Sequence, residues 1–251
     1  MTSAKPASSA VLLPGTGSDE VFVRAVFAGP LAALGIELVA PPPPPGDRLA
    51  KGYLAVLDAL ADERGSLLVG GVSFGAHLAA EWAVRNPERA AGLLVALPAW
   101  NGEPGDAPAS LAAKASADLV RREGLDAALA LTTAGVAPWL GAELDRAWRR
   151  HGEELPAGLE VAAAHPAPTL DELRGLPVPA GVATCVDDPV HPAPVARAWA
   201  AALPRAEVGE TTLTALGADR ESLGRATLAA WLKSSGVKPQ TQPGGKPPGP
   251  P

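Results

Sequence analysis

The pentapeptide Gly71-Val72-Ser73-Phe74-Gly75 follows the apolar run Leu67-Leu68-Val69 and precedes a helical stretch opening at His77. A serine on a strand-to-helix turn takes strained backbone angles that push its hydroxyl outward. Glycines two before and two after it let strand and helix pass closely. Such a serine could attack a carbonyl carbon, but only if a base within hydrogen-bond reach takes its proton. Other chemistry fails on inspection. Cys185 is the single cysteine and lies in the apolar run Gly181 to Val186, so it reads as a small buried hydrophobe. Gly15-Thr16-Gly17 has Glu20 where a dinucleotide loop needs its third glycine. Four scattered histidines and one cysteine offer no metal-ligand spacing, and no cofactor is implied.

The elements around the pentapeptide alternate. Short apolar runs at Ala10–Leu13, Ile36–Ala40, Leu67–Gly70, Gly92–Leu97, Val178–Val186 and, weakly, Ala206–Leu213 read as strands. Helical patterns lie between them at Glu20–Leu34, Leu49–Arg64, His77–Arg85 and Ala193–Leu203, with a last one at Glu221–Lys233. This rhythm predicts an α/β fold, a mainly parallel sheet with helices on both faces. Residues 101–168 break it with helical patterns at Leu111–Glu123, Leu125–Leu131, Leu140–His151 and Leu159–Ala164 and no convincing strand. They are expected to form a helical lid over the sheet's top edge, between core segments 1–100 and 169–233. Thr169-Leu170-Asp171-Glu172 is a capping box that restarts the core. Residues 234–251 are rich in Pro and Gly and read as a disordered tail. Aromatics make up only 4% of the chain, so close helix–strand approach must supply the burial that large side chains supply elsewhere.

From Val11 to about Lys233 the sequence resembles the α/β-hydrolase superfamily. Leu13-Pro14-Gly15-Thr16 resembles its oxyanion loop, Val69 to Gly75 its nucleophile elbow, and Asn86 to Leu93 the stretch after the elbow helix. Asp187-Asp188-Pro189-Val190-His191-Pro192 resembles the loop carrying the catalytic acid, with Asp188 at the matching position. The resemblance implies Ser73 as nucleophile, the N–H groups of Thr16 and Phe74 as oxyanion donors, and Asp188 as the residue orienting a base. Asp188 could instead serve as a helix N-terminal carboxylate before Pro192.

The family's histidine follows the last strand, and here that stretch is Leu216-Gly217-Ala218-Asp219-Arg220. No histidine follows His191. Replacements must come from elsewhere, and each has a plainer reading. His77 is expected to point down the elbow helix as a structural residue, and His191 reads as a loop or pocket residue at the rim of the site. His151 and His165 belong to the lid, where His165 could swing over Ser73 or stand solvated. Asp219 could approach the vacant slot or simply cap the last helix. The stretch 216–220 should pass within side-chain reach of Ser73 and Asp188. Trp100, Trp139 and Trp148 either line a lid pocket or pack.

Two readings of function stand at this point, with a third beside them. One is a hydrolase of an ester, thioester or similar acyl bond acting through Ser73 with an unconventional base. The other is a silent relative binding a small apolar ligand or a protein, and the third a non-hydrolytic enzyme using the same pocket. The net charge of −6 and the absence of a basic stripe argue against nucleic acid. The first ten residues lack a signal-peptide apolar core, and no apolar run is long enough for a membrane span, so a cytoplasmic protein is expected.

Overall fold

The computed structural model describes residues 9–236. Six strands form one sheet in the order β2-β1-β3-β4-β5-β6, with every neighbouring pair parallel. They are β1 (Ser9–Leu13), β2 (Glu37–Val39), β3 (Leu67–Val72), β4 (Ala90–Ala96), β5 (Ala180–Cys185) and β6 (Ala206–Thr211). The connecting helices are α1 (Glu20–Ala32), α2 (Leu49–Arg64), α3 (Phe74–Arg85), α8 (Leu170–Arg174), α9 (Ala193–Ala202), α10 (Leu213–Ala218) and α11 (Glu221–Ser235). Residues 234 and 235 thus continue the last helix. The remainder of the Pro/Gly-rich tail, from residue 237, lies outside the described residues, as do residues 1–8.

Strand residues alternate between two cores. Val11, Leu13, Val69, Leu93 and Val95 pack with Tyr53 and Leu57 of α2, Leu78 and Trp82 of α3, and Trp199 of α9. Ala10, Leu12, Leu68, Leu94 and Ala96 pack with Val23 and Phe27 of α1 and Leu228 and Trp231 of α11. Burial on both faces is why the central strands are apolar throughout. Small residues bring the helices in, as the aromatic-poor composition requires. A side chain at Gly181 on β5 would strike the backbone of Thr227 and Trp231 on α11.

Between β4 and α8 the chain leaves the sheet for an insert of α4 (Pro108–Glu123), α5 (Leu125–Thr133), α6 (Pro138–His151) and α7 (Leu155–Ala164). It has its own small core of Ala117, Val120, Ala128, Leu129, Trp148, Leu155 and Leu159. Three of these helices start earlier than the first apolar residue suggests, because Pro108, Pro138 and Pro156 occupy their first turns. Proline suits that position, where no N–H is needed. Thr169 and Glu172 form the expected capping box at α8.

The strand order reverses between β1 and β3, which opens a crevice at their carboxyl ends. The elbow is pressed into this crevice. A Cβ at Gly75 would collide with the carbonyl oxygens of Leu13 and Pro14, and one at Gly71 with Leu13 O and the backbone of Gly75. Neither position can accept a side chain unless β1 and α3 separate. Gly75→Ala is therefore expected to destabilise the fold by about 3 kcal/mol. A urea midpoint unchanged from wild type would show that the crevice is looser than the distances imply.

His77 lies in the core, as its helix position suggests. It is fully buried between Trp100, edge-on at 4.5 Å, and Trp199, stacked at 5.5 Å. Its Nε2 accepts the Ala99 N–H at 3.0 Å, which leaves its proton on Nδ1. Burial, with the nearby His191 and His165 adding to it, lowers its pKa to about 3. The unfolded chain binds a proton here near pH 6.5, whereas the folded chain resists it until about pH 3. Stability is thus lost as pH falls below 6.5. His77 alone should account for about 2 kcal/mol between pH 7 and pH 5. His77→Gln, whose side-chain oxygen can take the same N–H, should flatten that part of the profile in urea titrations. An equal pH 7-to-5 difference in both proteins would contradict the assignment.

Candidate active site

Ser73 stands between β3 and α3 with φ 52° and ψ −117°, a backbone conformation that side chains other than glycine's rarely adopt. Its N–H is tied to Ala96 O on β4 at 2.8 Å, and its carbonyl receives the N–H groups of Ala76 and His77. Strand and helix thus fix the residue from both sides, and the side chain is directed out of the turn. Only 9% of the residue is exposed.

The Ser73 hydroxyl meets an imidazole. His191 Nε2 lies 2.9 Å from Ser73 Oγ, and His191 Nδ1 lies 2.8 Å from Asp188 Oδ2. A carboxylate can only accept, so Nδ1–H donates to Asp188 and Nε2 is left to accept the serine proton. The order Ser–His–Asp is therefore complete in space. His191, read from the sequence as a loop or pocket residue, is the histidine that touches Ser73.

The local fold explains how a histidine three residues after an aspartate reaches back to it. Asp188 Oδ1 accepts the N–H groups of Val190 at 2.8 Å and His191 at 3.2 Å, folding the segment into a tight turn over its own carboxylate. The other oxygen then receives the imidazole. Pro192 and Pro194 lead into α9, so the loop cannot unwind into a longer helix. Burial works to raise the Asp188 carboxyl's pKa. The hydrogen bond and charge of His191, with the two backbone donors, outweigh it and hold the group below the usual carboxylate range. The spacing Asp-x-x-His was visible in the sequence. Its meaning was hidden because an Asx turn is needed to bring the two side chains together.

The stretch where the resemblance leads one to seek a histidine is not a loop. Residues 213–218 form α10, capped by the Thr212 side chain and by Asp187, whose Oδ1 accepts the Leu213 N–H at 2.7 Å. Gly217 lies against the Trp139 indole, and the Arg220 guanidinium stacks on that ring at 4.2 Å while donating to the carbonyls of Leu216 and Gly217. Asp219, one residue before Arg220, the N-cap of α11, is turned to Arg225 and accepts the Glu221 N–H. The structure brings His191 to Ser73, and not Asp219.

His165 donates from Nε2 to Glu81 Oε2 at 2.6 Å and packs edge-on against Phe74 at 5.7 Å, so it sits behind the elbow without reaching the hydroxyl. His151 donates to Ser18 O at 2.9 Å. Trp100 packs on His77, Trp148 fills the insert core beside Gly17, and Trp139 covers α10. Cys185 is buried at the end of β5, and burial, with Asp188 and Asp187 nearby, pushes its thiol up to about 12. It stays protonated and inert.

The loop after β1 lies against the elbow. A Cβ at Gly15 would stand 3.4 Å from the Cβ of Ser73. Residues 15–18 form a turn closed by Ser18 N–H to Gly15 O at 3.1 Å, with Gly17 at φ 64°. Among the described residues, neither the Thr16 N–H nor the Phe74 N–H donates to a protein acceptor. Phe74 is the first residue of α3, so its N–H is one of the helix's free donors. The described residues contain no cluster with the make-up of a metal centre, and none of their helices is long and apolar enough to cross a membrane.

No family model matches the sequence, and no curated protein matches it significantly. Solved structures do match the fold. The Rv0554 protein of Mycobacterium tuberculosis aligns with a TM-score of 0.70 at 17% identity, over 92% of this chain and 91% of that one. The enol-lactonase of Burkholderia xenovorans LB400 gives 0.68 at 19% identity, over 91% and 92%. A thermophilic esterase from Thermogutta terrifontis gives 0.66 at 18% identity, over 88% and 87%. With a parallel sheet flanked by helices and a helical insert, this chain has the α/β-hydrolase fold.

Proposed function

We propose that the protein is a serine hydrolase of an ester, thioester or similar acyl bond, with its general base moved into the acid loop. The observation that carries this is the pair of contacts at 2.9 and 2.8 Å linking Ser73, His191 and Asp188. As Ser73 Oγ attacks the substrate carbonyl, His191 Nε2 takes its proton and Asp188 stabilises the imidazolium. The Thr16 and Phe74 N–H groups, which have no acceptor among the described residues, receive the developing oxyanion. His191 then returns the proton to the leaving alcohol or thiol. A water, deprotonated by the same nitrogen, hydrolyses the acyl-enzyme and releases the acid and Ser73.

Two of the similar structures are named for ester-bond cleavage, an esterase and an enol-lactonase, in line with this chemistry. The binding-only reading rested on the want of a base, and the contact of His191 with Ser73 supports the hydrolase reading over it. The insert supports a lid role through its packing against the loop that contains Thr16.

The test begins with a fluorophosphonate probe on the full chain, which should label wild type and leave Ser73→Ala unlabelled. On a small activated ester, Ser73→Ala and His191→Ala should each lower kcat by about 10³-fold or more, and the double variant should be little worse than either. His165→Ala and Asp219→Ala should hold kcat within a few-fold. Full activity in His191→Ala, or labelling that persists without Ser73, would reject the assignment.

A further inference from the structure

The segment that follows Thr16 is gripped residue by residue by one face of the insert. Gly17 lies against the Trp148 indole, where a Cβ would stand 2.9 Å from Nε1. Ser18 O accepts from His151 at 2.9 Å. Asp19 takes both arms of the Arg146 guanidinium, each at 2.7 Å, and a third bond from Arg150 at 3.1 Å. Glu20 Oε1 receives Arg150 at 2.5 Å. Four consecutive residues, three of the loop and the first of α1, therefore meet four residues in the last turns of α6.

Asp19 differs from the other carboxylates of this set. It is wholly buried, whereas Arg146 and Arg150 keep their outer sides in water. Its Oδ1 also accepts the Val21 N–H at 3.0 Å as the N-cap of α1. A buried carboxylate without its cations would be strongly unfavourable, so the fork holds loop and insert together. Glu143 backs Arg146 at 2.5 Å and fixes the fork's orientation.

We infer that Asp19 and Arg146 are positioning residues, and that α6 acts through them as a splint holding the Thr16 N–H in place to receive the oxyanion. The inference rests on the reading of Ser73 and Thr16 given above. It adds that the insert is part of the catalytic machinery rather than a cover alone. Donors act in the transition state only when they are held before charge develops, and a turn of four residues has little rigidity of its own.

Arg146→Ala and Arg146→Lys in the full chain test this by two readouts. Hydrogen exchange reports the loop directly. Arg146→Ala should raise exchange at residues 15–20 about tenfold while residues 67–72 and 90–96 keep wild-type protection. On the activated ester, kcat should fall about tenfold with KM changed far less, because a displaced oxyanion donor costs the transition state and not ground-state binding. Lysine keeps the charge and loses the fork, so it should recover part of both effects. Unchanged exchange at residues 15–20, or increased exchange with kcat intact, would overturn the inference. A uniform rise in exchange would show general destabilisation instead. In that event Arg150→Ala with His151→Gln, which spares the fork, should give a smaller shift confined to the loop, and its absence would again overturn the inference. Failure of the fluorophosphonate to label wild type would reject the catalytic reading, and with it the role of the splint in catalysis. The exchange readout would still decide whether α6 holds the loop.

Discussion

The left-handed backbone of Ser73 is the constraint around which the molecule is arranged. A serine at φ 52° does not persist unless its surroundings over-determine it. Here β3 ends one residue before it, α3 begins one residue after it, and Ala96 O holds its N–H. The strand and helix can meet at so sharp an angle only because Gly71 and Gly75 leave no Cβ between them and the end of β1. That contact in turn sets the loop after β1 against the serine, so Ser73 and the Gly15 turn are brought together by one steric requirement.

The second dependency runs through a single carboxylate. Asp188 shapes the turn with one oxygen and orients the imidazole with the other. Two such partners placed far apart along a chain would each be set by a different element. Combining them within four residues makes the loop self-contained. It frees the region after β6 to become α10, closed by the Trp139–Arg220 stack, and lets α6 lie across it.

Charge pairs contribute unequally to this architecture. Arg121 with Glu160, Arg149 with Asp126 and Arg197 with Glu210 lie on the surface, where water screens such pairs and they contribute little. The Asp19–Arg146 fork has its acceptor inside the protein. Burial favours the neutral acid, yet the hydrogen bond and charge of Arg146 win and hold the carboxyl below its ordinary range. The same competition is resolved the same way at Asp188, and the opposite way at His77, where burial has no counter-charge to oppose it.

Local patterns were enough for most of the fold. Apolar runs bounded by glycine and proline identified the strands, the helical period identified the insert, and Thr169 with Glu172 announced a helix start. The elbow was legible because its glycines encode a steric need at short range. The base was not. His191 lies 118 residues from Ser73 in sequence, and only the pairing of β3 through β4 to β5 brings their ends to one edge of the sheet. Likewise no pattern around Asp19 pointed to Arg146, 127 residues away. The sequence determined which segments become strands and helices and that a serine would stand on a strained turn, because those outcomes depend on neighbours within a few residues. Which histidine meets that serine, and what holds the loop beside it, was decided by the tertiary structure, because hydrogen bonds act over about 3 Å and only folding brings such distant partners that close.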